Sequence, residues 1–162
     1  MTTVTLPAPL DATLALLAAE LEICRAGCLY VALHTDPRLP ERVSETLARE
    51  FSDTISFPLR MDARKAVFPV FFKYTYEHLG KGTNIFHVLD IEKLDEKVAD
   101  EFIRALQGGR EMFRNAPYAL LFWMTPAFEK RLFRLAPGVS RRHRRLSLKR
   151  CSQSVTGRER LL

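Results

Sequence analysis

Four short apolar runs, each followed by a helix-length amphipathic segment, constrain this chain more than any other feature. The runs are CLYVAL (28–33), TISFPLR (54–60), IFHVLDI (85–91) and YALLFWM (118–124). After the first, Leu39, Val43, Leu47 and Phe51 are spaced by four and form one stripe, with Arg38, Glu41, Arg42, Glu45 and Arg49 opposite. This helix should open near Asp36, a capping residue, with Pro37 in its first turn. Residues 67–79 are aromatic enough for a strand. Their length, Pro69 near the start and Gly80 at the end favour a helix with a buried aromatic face and two tyrosines at its rim. Leu94, Val98, Phe102 and Leu106 form the clearest helical stripe, which Gly108-Gly109 interrupts before REMFRN continues it with a bend. Phe128, Leu132 and Leu135 define a last helix, opened by Thr125-Pro126 and ended by Pro137-Gly138. One more helix precedes the first run, over 10–26, with Leu14, Leu17 and Leu21 on one face.

Apolar runs without clean alternation suit strands covered on both faces. Strands that alternate with helices imply a parallel sheet sandwiched by them. The expected fold class is therefore α/β, a three-layer domain with a mostly parallel sheet of four to five strands. Pro58 pushes TISFPLR towards a sheet edge, because proline cannot donate to a ladder.

Charge divides the chain unevenly. Of a net charge of +6, residues 141–162 carry +7, from eight Lys/Arg and one Glu, which leaves the first 140 residues at −1. The expected division is an α/β body over 1–138 and a basic, mobile tail over 139–162. Arg141, Arg142, Arg144, Arg145, Lys149 and Arg150 make that tail a candidate contact for nucleic acid or an acidic membrane by charge alone, without an aromatic residue from 140 onward to stack on bases. No apolar run approaches the roughly 18 residues of a membrane span. Three cysteines and an N-terminus without a basic leader point to a reducing, cytoplasmic compartment.

The junction HTDPRLPER (34–42) lies where nucleotide-binding folds place their phosphate loop. Such a loop needs glycines whose N–H groups close on phosphate, a lysine, and a hydroxyl for magnesium. The junction has none of these. It has His34, Asp36, Arg38 and two prolines, each of which removes a donor. Asp36 would also repel an anion from the helix N-terminus. Asp90, at the end of a strand, is where a P-loop enzyme holds magnesium; the simpler reading is a cap on the next turn. The four residues His34, Asp36, Arg38 and Asp90 are thus read as the remnant of a nucleotide site. His87, inside a strand, reads as a satisfied core histidine. No Cys/His spacing suits a metal, no nucleophile elbow occurs, and neither a cofactor nor catalysis is expected.

The stretch ALQGGREMFRNAPYALLFWMTPAFEKRLFRLAPG (105–138) resembles a segment of bacterial STAND-type proteins, which join NACHT or AAA-like ATPases to tetratricopeptide repeats. The matching residues are Leu106, Arg110, Glu111, Pro117, Phe122, Trp123, Pro126, Ala136 and Pro137. The upstream element order extends the likeness to about residues 10–138. The chain departs from the family at Gly108-Gly109, and after Pro137, where the family continues with an aromatic segment and a final strand. The resemblance implies a P-loop-NTPase-like fold that has lost its phosphate loop. It also implies a non-catalytic accessory or adaptor module that docks a protein partner or further domains in a sensing or defence system. On that reading Trp123 is core and the outer face of the last helix, Lys130, Arg131 and Arg134, is the interaction surface. The rival readings are a nucleic-acid-binding accessory protein acting through the tail, and a divergent nucleotide hydrolase using Asp90 and residues 34–38.

Overall fold

The computed structural model describes residues 27–34, 36–142 and 144–147. The expected helix over 10–26 and the stretch from 148 lie outside the described residues. Five strands form one sheet: β1 (Cys28–Leu33), β2 (Thr54–Arg60), β3 (Thr83–Leu89), β4 (Tyr118–Met124) and β5 (Arg144–Ser147). Their order is β2-β3-β4-β1-β5, and every pairing is parallel. The helices are α1 (Leu39–Glu50), α2 (Phe68–Glu77), α3 (Glu96–Gly108), α4 (Arg110–Arg114), α5 (Pro126–Leu135) and α6 (Pro137–Arg142). The fold is α/β, with helices on both faces of a parallel sheet. β2, the strand with Pro58, lies at an edge as its proline requires.

A parallel crossover is right-handed almost without exception, so the direction in which a connection crosses the sheet decides the face its helix covers. β2 to β3, β3 to β4 and β4 to β5 all step the same way. Their helices share one face, where Phe71, Phe72, Phe102, Ile103, Leu106, Phe113 and Leu132 meet Phe86, Val88, Leu120, Phe122 and Met124. β1 to β2 steps the other way, and α1 packs Val43 and Leu47 on the opposite face against Tyr30, Ala32, Ile85, Leu89, Ala119, Leu121 and Trp123. Each central strand thus feeds alternate residues to two cores, which is why these runs show no polar alternation.

The larger core is aromatic. Rings of Phe72 and Phe113 lie 4.9 Å apart, Phe71 and Phe102 5.2 Å, and Phe68 and Phe113 5.6 Å. Such pairs add about 0.5–1.5 kcal/mol each beyond area burial. The Tyr118 hydroxyl, bonded to Thr75 Oγ1 at 2.9 Å, has its pKa pushed up to about 12 by burial.

The fold runs past the boundary expected at 138. Val139 is buried, Arg141 and Arg142 fall in α6, and Arg144 and Arg145 fall in β5. β5 pairs from Tyr30↔Arg144 to Leu33↔Ser147 and covers the outer edge of β1. Its four residues, RRLS, carry no apolar periodicity, so only the unpaired edge of β1 reveals the need for a strand there. Lys149 and Arg150 lie outside the described residues.

Candidate functional site

In open parallel sheets, ligand crevices form outside the carboxyl ends of the strands, where neighbouring connections leave to opposite faces. Here that point is between β1, which leads to α1 on one face, and β4, which leads to α5 on the other. A cavity of about 330 Å³ lies there. His34 and Trp123 are among its lining residues, with ring centroids 6.2 Å apart. Pro37, Pro40 and Glu41 bring in α1, Arg60 ends β2, and Leu89 to Lys93 follow β3. Of the expected remnant, His34 and Asp90 reach this cavity, while Asp36 and Arg38 are not among its lining residues.

The β1–α1 junction offers no phosphate cradle among residues 37–40. α1 starts at Leu39, later than expected, with Pro40 in its first turn in place of Pro37. Asp36 instead closes a turn ahead of the helix: its Oδ1 accepts from the Arg38 N–H at 3.0 Å, and its carbonyl accepts from the Leu39 N–H at 3.1 Å. Pro37 and Pro40 have no N–H to give. An anion would therefore have to displace a carboxylate to reach the Arg38 N–H.

The openings of α3 and α5 are closed in the same way. Asp95 caps α3 by accepting from the Lys97 N–H at 3.0 Å. At α5, the Glu92 carboxylate accepts from the Thr125 N–H, and Thr125 Oγ1 from the Phe128 N–H at 3.4 Å. At α1, α3 and α5 a side chain of this chain thus sits where a nucleotide fold would receive phosphate, whereas α2 opens at Val67 without a side-chain cap.

Asp90 stands at the N-cap position of the turn Ile91–Lys93, as expected, and its carbonyl accepts from the Lys93 N–H at 3.0 Å, but its carboxylate is engaged elsewhere. Its backbone is left-handed, φ 64°, a conformation aspartate tolerates better than most residues, and its side chain makes no capping bond. Oδ2 accepts from Arg60 Nη1 at 2.8 Å, and Oδ1 lies 3.3 Å from Lys93 Nζ. Burial pushes the Asp90 carboxyl up, but the hydrogen bonds and charges of Arg60 and Lys93 outweigh it and hold the group below its ordinary range. The second arm of Arg60 pairs with Glu41. The series Glu41–Arg60–Asp90–Lys93 therefore spans one wall of the cavity, and both Asp90 oxygens that would ligate magnesium hold cations.

Beneath this wall runs a buried hydrogen-bond chain across the sheet. Trp123 Nε1 donates to His87 Nδ1 at 3.0 Å, His87 Nε2 lies 2.7 Å from Ser56 Oγ, and Ser56 Oγ lies 2.9 Å from Ser44 Oγ on α1. An indole can only donate, so Nδ1 is the acceptor and the imidazole proton sits on Nε2. Nε2–H then donates to Ser56. A base that activates serine must instead receive its proton, so this pair is set for structure and not for nucleophilic attack. Burial lowers the His87 pKa to about 3, and the ring is neutral, as expected of a satisfied core histidine.

The expected interaction surface divides. Lys130 and Arg134 are exposed on α5. Arg131 is held internally, with Nε 2.7 Å from Asp100 Oδ1 and Nη2 3.2 Å from Glu96 Oε1, and it ties α5 to α3. Sequence reading missed Glu41, Arg60, Glu92 and Lys93. Glu92 bonds the cap residue of α5, Thr125, 33 residues later, a pairing with no local signal. Among the described residues, no cluster of three or more His, Cys, Asp or Glu is arranged to hold a metal ion, and no helix is long and apolar enough to cross a membrane. No family model and no curated protein matches the chain. The resemblance to STAND-type proteins thus rests mainly on the residues of 105–138.

Proposed function

We propose that this chain is a non-catalytic, NTPase-like accessory module that mediates protein–protein contact, as an adaptor in a bacterial sensing or defence system would. The observation that carries this reading is the closure of the β1–α1 junction. Asp36 occupies the Arg38 N–H, and two prolines remove further donors. The cation-bound Asp90 weighs against the divergent hydrolase, which needs that carboxylate for magnesium.

Titration calorimetry with magnesium and ATP on the full chain tests it. The expected result is no saturable heat with ATP at about 1 mM, the range of weak, non-specific affinities. A magnesium-dependent dissociation constant near 1 μM, about −8 kcal/mol, would overturn the reading.

A further inference from the structure

An open sheet has two edges, and each offers unpaired backbone N–H and C=O groups on which a further strand can build. One edge here is β5, which is four residues long and begins with Arg144-Arg145. Short length and charge blunt such an edge. The other edge is β2, seven residues long, with Ile55, Phe57 and Leu59 in alternation. That strand is long and apolar enough to act as a template. Two bonds at its ends fix which of its groups face outward. The Asp53 carbonyl accepts from the Thr83 N–H at 2.8 Å, and the Met61 N–H donates to the Leu89 carbonyl at 2.9 Å. Odd-numbered residues therefore turn their backbone groups towards β3, and Thr54, Ser56, Pro58 and Arg60 turn theirs away from it.

Three of these four positions are disabled, each in a different way. The Thr54 N–H turns back to the Phe51 carbonyl at 3.0 Å. Pro58 is exposed and has no N–H, at a position where the loss takes nothing from the β2–β3 ladder. The Arg60 carbonyl accepts from Lys65 Nζ at 3.0 Å. That ammonium is itself held, by Asp62 Oδ2 at 3.1 Å and over the Tyr74 ring at 5.1 Å from its centroid. Ser56 and Arg60 are left as the outward donors of β2, about 13 Å apart along the strand. We propose that Pro58 and Lys65 close the β2 edge to a second copy of this chain, and that without them two copies join edge to edge. A symmetric pairing of one strand with itself is antiparallel across a two-fold axis. Set about position 57, it brings Ser56 of one copy opposite Pro58 of the other and Thr54 opposite Arg60. Each Pro58 then withholds the N–H that the facing Ser56 carbonyl needs, and each Lys65 occupies a carbonyl at the far end of the seam. The proposal does not rest on the adaptor reading.

Sedimentation equilibrium of the full chain tests this, with the variants Pro58→Thr, Lys65→Ala and the two combined. High salt screens the basic residues from 141 onward. Pro58→Thr restores an outward N–H and adds a β-branched side chain suited to a strand, so the fold is kept. It should lower the dissociation constant for self-association about tenfold relative to the unchanged chain, and the combined variant should lower it further. Lys65→Ala alone leaves Pro58 in place and should lower it about threefold; it carries the test where Pro58→Thr melts early. Amide exchange locates the seam: in the associated species Ser56 and position 58 of Pro58→Thr should exchange more slowly than in the monomer. Variants that associate no more tightly than the unchanged chain would overturn the proposal. So would association that leaves exchange at Ser56 unaltered, because the contact then lies on another surface, or an unchanged chain that already protects Ser56 by pairing with itself.

Discussion

At position 87 an imidazole sits fully buried between an indole N–H and a serine hydroxyl. Its proton is fixed by a neighbour that can only donate, and its charge is excluded by burial. The unfolded chain takes up a proton near pH 6.5 that the folded chain refuses until about pH 3. The folded pKa is depressed, so the unfolded state binds more protons in this window. Stability is full above about pH 6.5 and is lost as pH falls towards 3, by up to about 1.4 kcal/mol per pH unit. Urea unfolding should show a lower midpoint at pH 5 than at pH 7. His87→Gln keeps one acceptor and one donor without the titration. It should cost about 1–2 kcal/mol at pH 7 and flatten the dependence between pH 7 and 5. An equal pH dependence in the variant would show that another group causes it.

At the scale of elements, the Gly108-Gly109 pair separates two roles that the sequence leaves fused. Gly108 ends α3 with no atom within 4 Å of where a Cβ would stand, whereas a Cβ on Gly109 would run into the Phe68 ring. Phe68 packs edge-on against Phe113 of α4, so the second glycine is what lets α2 approach the α3–α4 bend. Gly108→Ala should therefore raise the thermal midpoint, with a gain of about 0.5–1 kcal/mol from helix propensity and reduced chain entropy. Gly109→Ala should lower it by about 1–3 kcal/mol through overpacking. Thermal unfolding of the two variants side by side checks both signs. The interruption itself was legible in the sequence. Which glycine is sterically required was not, because the ring that decides it arrives from about 40 residues upstream.

For the whole molecule, the extent of the domain is the open matter that chain length most affects. β5 shields the outer edge of β1, and Gln107 Oε1 accepts from the backbone N–H groups of Gly138 and Val139 at 2.9 and 3.1 Å. A chain ended after Gly138 loses the strand and the buried Val139, and bares the edge of a central apolar strand. It should melt several degrees lower and associate at high concentration; a chain ended after Ser147 retains all the described elements and is the reference for light scattering and calorimetry. Equal melting of the two would show that β5 contributes nothing to the fold.

The sequence by itself determined the layer order of this protein. Apolar runs alternating with helical stripes admit few folds other than a parallel sheet between helices, Pro58 fixed β2 at an edge, and the missing glycines of residues 34–42 excluded a phosphate loop. Those are local properties, set by periodicity, by a missing N–H and by backbone freedom. The tertiary structure alone decided where the charges meet. Arg60 reaches Asp90 across 30 residues, Glu92 closes the helix that begins at Pro126, Arg131 turns inward to Asp100, and His34 Nδ1 is buried without a hydrogen-bond partner. Side chains far apart in the chain are brought together by strand order, and strand order follows from the handedness of the crossovers and the pairing of edges, which no single segment encodes.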